Sequence, residues 1–241
     1  MTRRNAALSL IGVCAAAALA TACVDPQGDA GPEAASPDTG WVIPPRIDAV
    51  EQGPGGLSFK GVGQPGGRVV LRSLDGAAFA AVADASGRFD IRMAAPTGPL
   101  LLIPETQEGQ DASPSPQRLI ILGGGQGPVA LLTPGGPARR LDRVVGLGAV
   151  DADGRALLVS GRAAPDAEVK VGPAPLRAAA DGSWLMAVDG SGPRTLMVDG
   201  VSYAYPGEAG SGALVERAGA GWRVRWSTPD GAAQTTWLPA G

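Results

Sequence analysis

Apolar and polar residues alternate in short runs along most of this chain. In Arg88-Phe-Asp-Ile-Arg-Met93, the apolar side chains Phe89, Ile91 and Met93 take every second position, with Arg88, Asp90 and Arg92 between them. A period of two places the two sets on opposite faces of a strand, one buried and one wet. Trp184, Met186 and Val188 repeat the apolar set, and Trp222-Arg-Val-Arg-Trp226 alternates in the same way near the C-terminus. Beyond residue 22 no segment sustains the i, i+3, i+4 spacing of an amphipathic helix. With 37 glycines and 22 prolines in 241 residues, the chain approaches the composition of disordered segments. Its apolar fraction is nevertheless an ordinary 44% and falls between turn residues. That combination predicts many short strands joined by tight turns.

The strands come in two copies of one unit. Leu57-Ser-Phe-Lys-Gly61-Val-Gly-Gln-Pro65-Gly-Gly-Arg-Val69-Val-Leu71 aligns without a gap on Leu157-Leu-Val-Ser-Gly161-Arg-Ala-Ala-Pro165-Asp-Ala-Glu-Val169-Lys-Val171. After a short difference in length, Asp84-Ala-Ser-Gly87-Arg-Phe89 corresponds to Ala179-Ala-Asp181-Gly182-Ser-Trp184, and Gly98-Pro99 to Gly192-Pro193. Ser86-Gly87 and Asp181-Gly182 are hairpin-turn dipeptides. Gly61 followed by Pro65 predicts a bend between two strands, with Val69 and Leu71 pointing inward after it. Leu119-Ile-Ile-Leu122 and Val129-Ala-Leu-Leu132 flank the glycine-rich loop Gly123 to Gly127 and predict a hairpin closing the first unit. Trp222 to Trp226, the turn Thr228-Pro-Asp-Gly231 and Gln234-Thr-Thr-Trp237-Leu238 predict a second hairpin finishing the other.

Strand, Gly-x-x-x-Pro, strand, Gly-x-aromatic, strand: this order resembles bacterial immunoglobulin-like domains of envelope and adhesive proteins. The carboxypeptidase regulatory-like domain is similar. The resemblance covers about half of each unit and implies an all-β fold, two tandem immunoglobulin-like β-sandwiches over residues 47–138 and 139–241. It implies spacing, adhesion or scaffolding, and no catalytic residue.

The N-terminus carries an address. Arg3 and Arg4 precede an apolar run from Ala6 to Ala20, too short to span a bilayer comfortably. Leu19-Ala-Thr-Ala-Cys23 resembles a bacterial lipobox, with alanine rather than leucine three residues before the cysteine. An ordinary secretory signal cut nearby fits the same features. The lipoprotein resemblance implies a signal peptide over residues 1–22 and lipidation of Cys23, with several acyl chains giving stable membrane attachment. It also implies the outer membrane over the inner, because Val24 replaces the aspartate that often follows the cysteine of retained lipoproteins. The expected location is the bacterial cell envelope, with the mature chain facing the periplasm or the cell surface. Cys14 leaves with the leader, so no intramolecular disulfide remains available. Residues 23–46, rich in Asp, Pro, Gly, Ser and Ala, predict a flexible tether.

Composition narrows the chemistry. Losing the leader takes the basic count from 20 to 18 against 23 acids, a formal charge of −5. There is no basic stripe, so nucleic acid is not an expected partner. The chain has no histidine. Ser-His and Cys-His dyads are excluded, and the commonest metal ligand is missing. Asp151-Ala-Asp153-Gly154 begins like a calcium loop but continues with Arg155 and Leu157 where oxygen ligands belong, and reads as a hairpin turn. Asp84 and Asp181 likewise read as turn formers. No cofactor, metal or enzymatic activity is expected, short of a histidine-free hydrolase working through clustered carboxylates.

Aromatic side chains gather near the C-terminus. Tyr203, Tyr205, Trp222, Trp226 and Trp237 form the candidate binding surface, able to stack on sugar rings or anchor a protein partner. The competing reading puts Trp222, Val224 and Trp226 in the core, with Arg223 and Arg225 in solvent. The expected function is a non-catalytic, lipid-anchored envelope protein that binds or positions another envelope component. A carbohydrate-binding module for peptidoglycan or surface glycan is the alternative.

Overall fold

A computed structural model describes residues 42–240. The leader, Cys23 and most of the tether lie outside the described residues. Arg46, the last residue assigned to the tether, is the first residue of the first strand.

The described chain is almost entirely strand and turn. Ten strands make up its first half: β1 (Arg46–Gly53), β2 (Gly56–Val62), β3 (Arg68–Ser73), β4 (Ala78–Val82), β5 (Arg88–Met93), β6 (Leu100–Glu108), β7 (Asp111–Pro114), β8 (Arg118–Ile121), β9 (Val129–Leu132) and β10 (Arg139–Arg140). Ten more follow: β11 (Gly146–Ala152), β12 (Ala156–Arg162), β13 (Glu168–Val171), β14 (Ala174–Arg177), β15 (Ser183–Asp189), β16 (Arg194–Val198), β17 (Val201–Tyr205), β18 (Val215–Ala218), β19 (Gly221–Ser227) and β20 (Ala233–Pro239).

All pairings between these strands are antiparallel. The first half holds the sheet β1-β2-β5 and the sheet β10-β9-β8-β6-β3-β4, to which β7 adds through β6. The second half holds β15-β12-β11-β20-β19-β18 and β14-β13-β16-β17. The repeat therefore reappears as matching strand order: β1-β2-β5 corresponds to β11-β12-β15, and β4-β3-β6 to β14-β13-β16. Each copy even has a register shift at the same place, between Ile47 and Ala49 and between Leu147 and Ala149.

The repeated turn residues have physical causes. Phe89 and Trp184 lie over Gly61 and Gly161, and the carbonyls of Arg46 and Gly146 approach from the neighbouring strand, so a Cβ at either glycine would collide with both. Between β2 and β3 the amide of Gly67 donates to the carbonyl of Gln64, and between β12 and β13 that of Ala167 donates to Ala164. Each turn has proline second and a positive φ third, 73° at Gly66 and 58° at Asp166. That is the geometry of a type II turn.

Two apolar clusters follow the halves. One joins Phe59, Leu71, Ile91, Leu102 and Leu119; the other joins Val159, Trp184, Leu196, Tyr205 and Trp237. A third cluster bridges them, packing Ile120, Leu122, Ala130 and Leu132 against Val224, Trp226 and Leu238. Strands β8 and β9 are buried almost throughout, and so is the end of β20. Their apolar runs do not alternate because both of their faces meet protein. Residues 139–140 pair with β9 as β10.

Candidate functional site

The C-terminal hairpin forms as its pattern predicts, with β19 and β20 in register from Gly221–Pro239 to Ser227–Ala233. It completes a sheet by laying β20 along β11, where Val150 faces Trp237. That placement decides the fate of the aromatics. Trp237 and Tyr205 are fully buried and pack edge to face, with ring centres 5.9 Å apart. Trp237 Nε1 donates to the carbonyl of Ala218 at 2.9 Å, and Trp226 Nε1 to Thr236 Oγ1 at 3.2 Å. Burial pushes the Tyr205 phenol up to about 12. Trp226, Trp237 and Tyr205 thus offer no free ring face for stacking. Tyr203 is partly buried against the second core. Trp222 is partly buried as well, and the Arg217 guanidinium sits 3.9 Å from its ring centre.

The reading that put these rings in the core also expected Arg223 in solvent, and here the structure differs. Arg223 is buried between strands. Its Nη1 donates to Glu216 Oε1 at 2.7 Å, and its Nε and Nη2 to the carbonyl of Gly207. A buried guanidinium needs such partners. Ser211 donates to Glu216 from both its hydroxyl and its amide. These bonds and Arg223 hold the Glu216 carboxyl down at about 2. Arg225 is partly covered, with Nη2 on the carbonyl of Glu208.

The aspartates divide between turns and one part-buried site. Asp84 accepts from the amides of Ser86 and Arg88, Asp181 from that of Ser183, and Asp153 from those of Arg155 and Ala156. These bonds cap turns and hold each carboxyl below its usual range. Asp151 is different. It lies in β11, and the adjoining turn begins two residues later. Its carboxylate accepts from the Ala138 amide at 2.7 Å and from Thr236 Oγ1 at 2.6 Å. Burial pushes it up to about 6. Among the described residues no group of three or more Cys, Asp or Glu side chains is placed to hold a metal ion.

The two halves line a cleft of about 730 Å3, walled by Gln117, Arg139, Arg162, Arg177, Asp181 and Trp184 among others. Arg139 belongs to β10 and donates to the carbonyls of Ile47 and Asp48. Arg162, at the end of β12, donates to the carbonyl of Asp181, and Arg177, at the end of β14, to that of Asp166. Among the described residues none of the three is within ion-pair distance of a carboxylate. Sequence patterning missed this cluster because the three arginines are far apart in the chain and each sits at an unremarkable strand end. No protein-family model matches the chain, and no curated protein sequence matches it.

Proposed function

We propose that this chain is a non-catalytic, lipid-anchored protein of the bacterial cell envelope that binds or positions another envelope component. Its repeated halves are read as immunoglobulin-like β-sandwiches, and Cys23 as the lipidated first residue of the mature chain. The observation that carries this reading is the joining of the halves through a shared apolar cluster, Ile120, Leu132, Val224 and Trp226 among its members. A module that holds a partner at a fixed place gains from two surfaces locked in one orientation. Independent beads on a string would lose that orientation. The anchor side rests on Arg3, Arg4 and the apolar run leading to Cys23. The glycan alternative loses its main support, since three of its five aromatics are in the core.

Fractionation of the tagged full-length chain beside its Cys23→Ala variant tests the reading. The expected result is a wild-type chain in the membrane fraction, a released variant, and one near-stoichiometric partner copurifying with the anchored form. Two soluble proteins that fractionate alike would overturn the anchor. An anchored chain that retains no partner would overturn the positioning role.

A further inference from the structure

We propose that the cleft between the halves binds a small ligand carrying two or more carboxylate or phosphate groups, held by Arg162 and Arg177 against the wall formed by Arg139. The inference starts from charge. The mature chain carries a formal −5, yet this one concavity concentrates arginines. Four of its lining residues are arginines: Arg139, Arg140, Arg162 and Arg177. Arg140 is neutralised by Asp142, just as Asp48 on the rim is neutralised by Arg46. What remains is three guanidiniums facing the single carboxylate of Asp181. One oxygen of that carboxylate, Oδ1, accepts from the amide and the hydroxyl of Ser183, at 2.9 and 2.6 Å.

Arg139 and Arg162 are also close enough to oppose one another. Burial lowers the Arg139 guanidinium below its usual range; Asp48 opposes this, Arg162 and Arg46 add to it, and Asp181 opposes it again. Folding gathers more guanidiniums than carboxylates around this cleft, and the excess positive charge favours a bound anion.

The donors are available. A guanidinium has five N–H groups in a planar fork that matches carboxylate and phosphate oxygens. Arg162 and Arg177 each give one hydrogen bond, both to backbone carbonyls. Those bonds fix the direction of the side chain and leave most of the fork for a ligand. Arg139 is spent differently: it donates to two carbonyls of β1 and serves as a fixed positive wall. Apolar groups, Pro137, Ala138 and buried Trp184, line the same cleft. Apolar lining lowers the local dielectric and strengthens ion pairing. The volume is within the range of small-molecule sites.

Calorimetric titration of the folded full-length protein with citrate and with pyrophosphate tests the inference, carboxylates against phosphates. The expected result is saturable binding of at least one probe, weakening as salt is raised. Arg162→Gln and Arg177→Gln each weaken that binding by about tenfold or more, the loss of a charge-assisted contact. Arg155→Gln, in an exposed turn outside the cleft, leaves it unchanged. The better probe identifies the ligand chemistry. Neither probe binding at millimolar concentration would overturn the inference. So would binding that both cleft variants retain at full strength.

Discussion

Replacing Asp151 with asparagine is expected to abolish one component of the pH dependence of stability. The sign follows from the direction of the shift. The folded carboxyl titrates at about 6, raised by burial from an ordinary 3.8. Between those values the folded protein holds a proton that the unfolded chain has released. Stability from this group is therefore greatest in acid, falls as pH rises from about 4 to about 6, and stays lower above that. A shift of about two units corresponds to about 3 kcal/mol as an upper bound. Asp151 is partly reached by solvent, so we expect about 1–2 kcal/mol.

Asparagine can still accept from the Ala138 amide, and its own amide then donates to Thr236 Oγ1. The Thr236 hydroxyl proton loses its acceptor, at a cost of about 1 kcal/mol. The variant should accordingly be less stable than wild type near pH 4 and equal or better near pH 7. Urea denaturation followed by tryptophan fluorescence over that range gives the difference directly. Glu216, Asp84 and Asp181 have lowered values, so their contributions are lost as pH falls. They are common to both proteins and cancel in the difference. A difference that does not change with pH, or one that grows against the variant toward pH 7, would refute the assignment of Asp151 as a buried, reluctantly ionised group.

Two further perturbations probe the repeat and the joint. Gly161→Ala places a methyl group against the Gly146 carbonyl and the Trp184 ring, and should destabilise the protein by about 3 kcal/mol or prevent folding, read as loss of thermal midpoint or of soluble yield. A variant within about 0.5 kcal/mol of wild type would mean that the strand and the ring yield far more readily than close packing allows. Trp226→Ala removes the largest side chain of the shared cluster and should cost about 3–5 kcal/mol in denaturant unfolding. A wild-type protein that already unfolds in two separate transitions would refute a joint that couples the halves.

Local chemistry is what the amino-acid sequence makes legible here. Phe89, Ile91 and Met93 alternate, and β5 is buried at those three positions and exposed at the three between them. Gly87 and Gly182 mark turns because a positive φ and a close carbonyl exclude a side chain there, whereas Gly61 and Gly161 lie within strands beneath an aromatic ring. The long-range assembly is less legible. Leu119 to Leu122 and Val129 to Leu132 signal a hairpin, but the partners on their outer face, Val224, Trp226 and Leu238, lie far along the chain. Arg223 alternates with apolar neighbours as a solvent-facing residue would. Its burial depends on Glu216 and on the carbonyl of Gly207, neither visible in its own strand. Asp151 looks like part of a turn until β20 delivers Thr236 beside it. In each case the pattern reports which side of a strand is apolar. It is silent on what covers the other side.

The joint explains why those long-range contacts matter to the candidate site. Its apolar cluster holds the halves together, but apolar contact is tolerant of sliding. The polar contacts at its margin are not. Ala138 donates to Asp151 and accepts from Ser160, while Arg140 reaches the carbonyls of Gly148 and Pro239 and pairs with Asp142. Each of these buried groups is costly to leave unpaired, so a shift of one half against the other is penalised by several groups at once. Arg140 is the immediate neighbour of Arg139, and Ser160 lies two residues before Arg162. The network that fixes the halves therefore also fixes the spacing of the arginines across the cleft. A ligand held by Arg162 and Arg177 against Arg139 would read that spacing, and weakening the joint should loosen the cleft before it unfolds either half.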